Sequence, residues 1–169
     1  MHAEQLASNA QELLSALNHV VEVVGKYATS DSVVRSDGTV LSDVVHSQVA
    51  IHAPYGGVVP ELASRDHMRN IRPVVSNALE RAGVSLTDID GIAVTCRPGL
   101  SGALLVGLQM AQGLSWAIQR PIVGVDHLVG HLLAVYLKHS GIQNCEAPAF
   151  PFIAMLASGG HTAIYKVEG

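Results

Sequence analysis

Apolar residues recur at three- and four-residue spacing over four stretches of the chain and gather in short unbroken runs over six others. The first pattern calls for helices and the second for strands. In residues 1–28, Leu6, Ala10, Leu13, Leu14, Leu17, Val20, Val21 and Val24 fall on one helical stripe, with Gly25 as C-cap and Lys26 at the helix's negative end. Helices are expected near 4–25, 60–82, 101–118 and 127–138. Strands are expected near 32–35, 40–51, 91–96, 121–126, 150–157 and 162–167. Alternating elements of this kind build an α/β sheet.

The connections carry their own signals. Asp37-Gly38 between two apolar runs reads as a hairpin turn. Pro60 and Glu61 suit the first turn of a helix that Gly83 closes, and Pro73 inside it should kink it. Residues 85–90 read as a turn or a short helical turn. The helix over 101–118 is rich in small residues (Gly102, Ala103, Gly107, Ala111, Gly113, Ala117), which predicts close packing against a neighbour. Glu61, Arg65, Asp66, His67 and Arg69 crowd the start of the 60–82 helix, at even odds a solvated face or a functional one.

Composition narrows the class. With 169 residues the chain is long enough for one domain with a sizeable core, and 49% of it is hydrophobic against 14% charged. No apolar run approaches the roughly 20 residues that span a bilayer, and the start lacks the order of a signal peptide. Cys96 and Cys145 do not make a disulfide framework, so a reduced, cytoplasmic setting without membrane is expected. A net charge of −4 with His neutral argues mildly against binding nucleic acid unaided.

The candidate chemistry centres on Pro121 to Ala134. The run Ile122 to Val125 reads as a buried strand, Asp126 as an N-cap, and His127 and His131 follow four apart. On a helix that spacing puts both rings on one face, Cβ atoms roughly 5–6 Å apart, where they can share a metal ion with a third ligand from elsewhere. Two histidines so spaced are by themselves more often a coincidence than a metal site. The zinc-peptidase pattern fails, because Leu128 stands where its general base is needed. Two glycine turns add to this. Arg97 to Gly102 ends a strand and opens a helix, and Ser158-Gly159-Gly160 lies between two strands. Each allows close approach of a ligand to backbone N–H groups, and each is equally an ordinary turn.

Taken together, Tyr55 to His67, Pro98 to Gly107, His127-x-x-x-His131 and Ser158-Gly159-Gly160-His161-Thr162 resemble the tRNA adenosine threonylcarbamoyltransferase family, formerly the glycoprotease or O-sialoglycoprotein endopeptidase family. The resemblance covers about Val33 to Gly169. It implies an actin-like, Hsp70-like ATPase lobe, with a ribonuclease H-like mixed sheet and flanking helices, here truncated. It implies transfer of a threonylcarbamoyl group from threonylcarbamoyl-AMP to the exocyclic amine of the adenosine beside the anticodon. It places a divalent metal ion, iron or zinc, on His127 and His131, and the acyl-adenylate on Leu156, Ala157, Ser158, Gly159 and Gly160. The implied partners are tRNA, a paralogous actin-like subunit and an ATPase subunit of the modification complex.

The departures shape the expected organisation. The family opens on a strand followed by an acidic segment, and residues 1–28 with Tyr27 to Asp31 stand there instead, so the first strand is expected to be replaced or lost. The family's later metal-binding Asp falls outside the chain, and Cys96-Arg97 replaces a commoner Ala-Gly. The expected division is an atypical amphipathic helix over 1–28, the first lobe over 29–149, and the opening hairpin of the second over 150–169. On this reading the 169 residues alone are inactive. A competing reading is a non-catalytic interaction subunit of the same complex, binding a related subunit through the N-terminal helix and the lobe surface. An actin-like sugar or acyl kinase is a third, and the H-x-x-x-H and Ser-Gly-Gly-His pair argues against it.

Overall fold

A computed structural model of the chain describes residues 19–25, 28–139, 146–157 and 162–168. Three strands open it as an antiparallel meander: β1 (His19–Gly25), β2 (Ala28–Arg35) and β3 (Thr39–Ser47). The Asp-Gly pair turns β2 into β3 as expected. Gly38 takes φ +83°, its N–H donates to Arg35 O at 2.9 Å, and the Thr39 N–H donates to Asp37 Oδ1 at 2.9 Å.

β1 corrects two expectations. Residues 19–25 are a strand, not the end of a helix over 4–25, and Gly25 ends that strand instead of capping a helix. Nor is a first strand lost from the sheet, because β1 pairs antiparallel with β2 and parallel with β4 (Gly91–Arg97). The physical reason lies in the residue types. Val20, Val21, Val23 and Val24 are β-branched, stiff in a helix and favoured on a pleated sheet. Residues 1–18 of the expected helix lie outside the described residues.

The rest follows the expected order with shifted boundaries. β3 stops at Ser47, short of residue 51, and a helical turn α1 (Val49–His52) and a 3-10 turn (Ala53–Tyr55) follow. Helix α2 (Pro60–Ala82) runs through Pro73 and closes on Gly83 at φ +68°. A 3-10 turn (Leu86–Asp88) with a Ser85/Asp88 capping box leads to β4, then α3 (Ser101–Ile118) and β5 (Ile122–Asp126). Helix α4 (His127–Leu133) is shorter than the expected 127–138. Its last turn tightens into a 3-10 segment (Ala134–Tyr136), after which β6 (Lys138–His139) joins the sheet.

The sheet order is β5-β4-β1-β2-β3-β6. Alternation sets its covered face: Thr29, Asp31 and Val33 of β2 and Val40, Ser42 and Val44 of β3 are buried, and in β4 every residue from Gly91 to Thr95 is. Helices α2 and α3 pack there, with Ile71, Val74, Val75, Ala78 and Ala111 meeting Val33, Val44, Ile92 and Val94. Each fully buried Val or Ile contributes on the order of 2 kcal/mol relative to exposure. A separate antiparallel pair, β7 (Phe152–Ala157) and β8 (Thr162–Val167), closes the described chain. No helix among the described residues is long and apolar enough to cross a membrane.

Candidate metal and substrate site

The parallel pairing of β1, β4 and β5 brings their carboxyl ends to one edge of the sheet, where α/β folds bind ligands. Gly25 pairs with Thr29, and Thr29 with His46, so the end of β3 lies at this edge too. The starts of α2 and α3 also meet each other: a Cβ on Gly102 would collide with the Ser64 hydroxyl. The small residue near the head of α3 therefore permits the close approach that the sequence predicted.

The β4–β5 register shifts between Thr95 and Arg97, which leaves Arg97 opposite Asp126. Such an irregularity re-aims a side chain at the end of a strand. The Arg97 Nε–H donates to Asp126 Oδ2 at 3.1 Å. Asp126 Oδ1 accepts the Leu128 N–H at 2.9 Å, the N-cap that the sequence predicted for α4.

His127 and His131 then stand one turn apart with their Nε2 atoms 3.1 Å from each other. The rings meet edge to face, centroids 4.4 Å apart at 69°. Two nitrogens bound to one tetrahedral ion at roughly 2.0–2.1 Å would lie about 3.3 Å apart. The pair is thus within a small ring movement of chelating geometry, and two imidazole donors suit iron or zinc. Without an ion, the same spacing lets one ring N–H donate to the other ring's bare nitrogen. Among the described residues, no group of three His, Cys, Asp or Glu could hold a metal.

The expected substrate turn is only partly described. Leu156 and Ala157 end β7, Leu156 half-buried and Ala157 exposed, whereas Ser158, Gly159 and Gly160 lie outside the described residues. Helix α4 lies against β7, the strand that leads into that turn. A shallow open depression lined by Gln112, Trp116, Arg120 and Ile122 includes neither histidine and sits at the opposite end of β5.

The polar start of α2 divides into two parts. Glu61 and Arg65 are exposed and only 3.9 Å apart, an ordinary surface pair. Asp66 and His67 face inward. Asp66 Oδ2 meets His46 Nε2 at 3.0 Å, and its Oδ1 accepts the Asn70 Nδ2–H at 2.9 Å. His67 is buried with Nδ1 2.9 Å from Thr29 Oγ1. Burial holds the His67 imidazole below its usual range, as do His46 and His52, and Asp66 partly offsets this. Sequence reasoning missed these contacts because the partners lie 20 and 38 residues away, with no local signal to join them.

The sequence profile of TsaD, tRNA N6-adenosine threonylcarbamoyltransferase, matches residues 39–169. A protein of that name from Sorangium cellulosum (strain So ce56) is 67% identical over 144 residues, 83% of this chain and 40% of its own length. One from Trichlorobacter lovleyi is 57% identical over 141 residues, 83% of this chain and 39% of its own. The chain thus spans about 40% of the length of these curated relatives. A solved structure described as an uncharacterized protein with similarity to peptidase YEAZ from Pseudomonas aeruginosa superposes with a TM-score of 0.53 at 19% identity. It covers 88% of this chain and 63% of that one. A likeness at that identity speaks for a shared fold alone. By the profile match and these relatives, the chain belongs to the tRNA N6-adenosine threonylcarbamoyltransferase family.

Proposed function

We propose that this chain forms one wall of a threonylcarbamoyl transfer site. Residues 29–149 are the first actin-like lobe of that reading and 150–169 the opening hairpin of the second. The observation that carries it is the convergence of His127 and His131 at the carboxyl edge of the sheet, inside the matched segment. In the reaction the exocyclic amine of adenosine attacks the carbamoyl carbon of threonylcarbamoyl-AMP. A C–N bond forms, the carbon–oxygen bond to the phosphate breaks, and AMP leaves as the amine gives up a proton.

His127 and His131 would hold a divalent ion, iron or zinc, which when bound polarises a carbonyl and offsets phosphate charge. Asp126 orients the helix that carries both rings. Leu156 and Ala157 precede Ser158-Gly159-Gly160, a sequence whose backbone amides would suit anionic oxygens of the acyl-adenylate. The remaining ligands and the opposite wall belong to the length of the relatives that the chain does not span. The reading carries a cytoplasmic setting, tRNA as acceptor, and a paralogous actin-like subunit and an ATPase subunit as partners. The interaction-subunit reading loses part of its basis, because residues 19–25 of its helix pair within the sheet.

The test is a transfer assay with threonylcarbamoyl-AMP and unmodified tRNA. The chain alone should give no modified adenosine, since transfer needs both reactants held in one closed site. The chain fused to the part of the Sorangium cellulosum relative that it does not span should give it. A fusion that folds and binds tRNA yet transfers nothing would overturn the reading.

A further inference from the structure

We propose that Arg97 is a positioning residue for the His127–His131 pair, acting through Asp126. The proposal rests on the metal-site reading above and adds a residue to it. Helix α4 has seven residues, none of them buried, with Gly130 in its middle. So short a segment does not hold itself together by backbone hydrogen bonding, and it is only half-buried beside β4, β5 and β7. What fixes its start is the cap from Asp126 to Leu128, immediately beside His127.

A lone carboxylate can swing about its own bonds and lose a cap. Here the two oxygens have separate tasks: Oδ1 takes the Leu128 N–H and Oδ2 takes the Arg97 Nε–H. The guanidinium is planar and rigid, so it fixes the plane of the carboxylate. The negative charge then also sits favourably at the helix's positive end. Arg97 reaches this position because of the register shift at the end of β4. Its side chain is 57% exposed, so the ion pair adds little stability by itself. Its effect is orientational and falls on the two rings that α4 carries.

Two readouts on the full 169-residue chain test this, with Arg97→Ala, Arg97→Lys, Asp126→Ala and the Arg97→Ala/Asp126→Ala double variant. The first is metal-free: the ¹⁵N shifts of the His127 and His131 ring nitrogens and amide exchange at Leu128. Arg97→Ala should move both ring signatures and speed Leu128 exchange about threefold to tenfold, the scale of a weakened cap. Arg97→Lys should restore part of each. The double variant should look like Asp126→Ala alone, because Arg97 acts only through Asp126. The second readout is Co²⁺ titration followed by its visible absorption, where Arg97→Ala should bind about threefold to tenfold more weakly, below the usual effect of a group bonded directly to a ligand. Unchanged ring shifts and Leu128 exchange in Arg97→Ala would overturn the proposal, as would losses that add in the double variant. Absence of Co²⁺ binding by the wild type, with the metal-free changes present, would instead count against the metal reading and leave the positioning role standing.

Discussion

Thr29 and His67 are 38 residues apart in sequence and joined by a buried hydrogen bond, Thr29 Oγ1 to His67 Nδ1 at 2.9 Å. It ties the start of β2 to the second turn of α2, at the sheet edge where the histidine pair also stands. The other ring nitrogen, His67 Nε2, is buried with no hydrogen-bond partner among the described residues. Protonating this ring would therefore place a charge where little can receive it.

A pH dependence follows. Burial lowers the folded-state pKa of His67 below its ordinary value of 6.5. Near and below that value the unfolded chain binds the proton more readily than the folded one, so stability rises with pH there. Stability should be full above about pH 6.5 and fall as the pH drops through 6.5 towards the folded pKa. Denaturant midpoints measured between pH 7 and pH 5 should decline for the wild type and decline less for His67→Gln. Equal slopes in the two proteins would show that His67 does not titrate as described.

The contact between Gly102 and Ser64 makes a second prediction. A Cβ at residue 102 would meet the Ser64 hydroxyl, which donates to Pro60 O at 3.0 Å. Gly102→Ala should therefore destabilise the chain by about 1–2 kcal/mol, the range for overpacking. In a Ser64→Ala background most of that cost should disappear, because the Ser64 Cβ itself would lie at an ordinary 3.5 Å. A double-mutant cycle measures the coupling. Strictly additive effects would mean that the two helices do not approach at these residues.

β1 makes the third. Val21 and Val23 pair with Val33 and Asp31 of β2 and with Ile92 and Val94 of β4. Replacing both with Ala trades a strand-favouring residue for the best helix former. In a helix the change would raise stability. In the sheet it should lower the melting temperature, and ¹³Cα shifts over residues 19–25 should report extended backbone. A stabilised double variant would contradict the strand.

The misread of this segment shows what periodicity can decide. Val20, Val21 and Val24 satisfy a helical spacing, yet four of the five residues in Val20-Val21-Glu22-Val23-Val24 are β-branched. The sheet resolves the choice, since β4, far along the chain, pairs with β1 on one side while the neighbouring β2 pairs on the other. Elements with local punctuation were legible: the Asp37-Gly38 turn, Pro60 and Gly83 bounding α2, and Asp126 capping α4. The candidate site was legible where it is local, in His127 and His131. Arg97's hold on Asp126 was not, because it depends on a register shift between two strands. The Thr29–His67 and His46–Asp66 contacts were hidden for the same reason, as long-range pairings with no sequence period.

The most direct test is metal stoichiometry of the chain and of its fusion to the rest of the Sorangium cellulosum relative, each as wild type and as His131→Ala. With 3.1 Å between the two Nε2 atoms and no third ligand grouped with them among the described residues, the chain alone should bind zinc or iron weakly. The wild-type fusion should retain one ion per molecule through dialysis, and His131→Ala should lose it in both forms. Equal, tight binding by wild type and His131→Ala would contradict the assignment of the histidine pair.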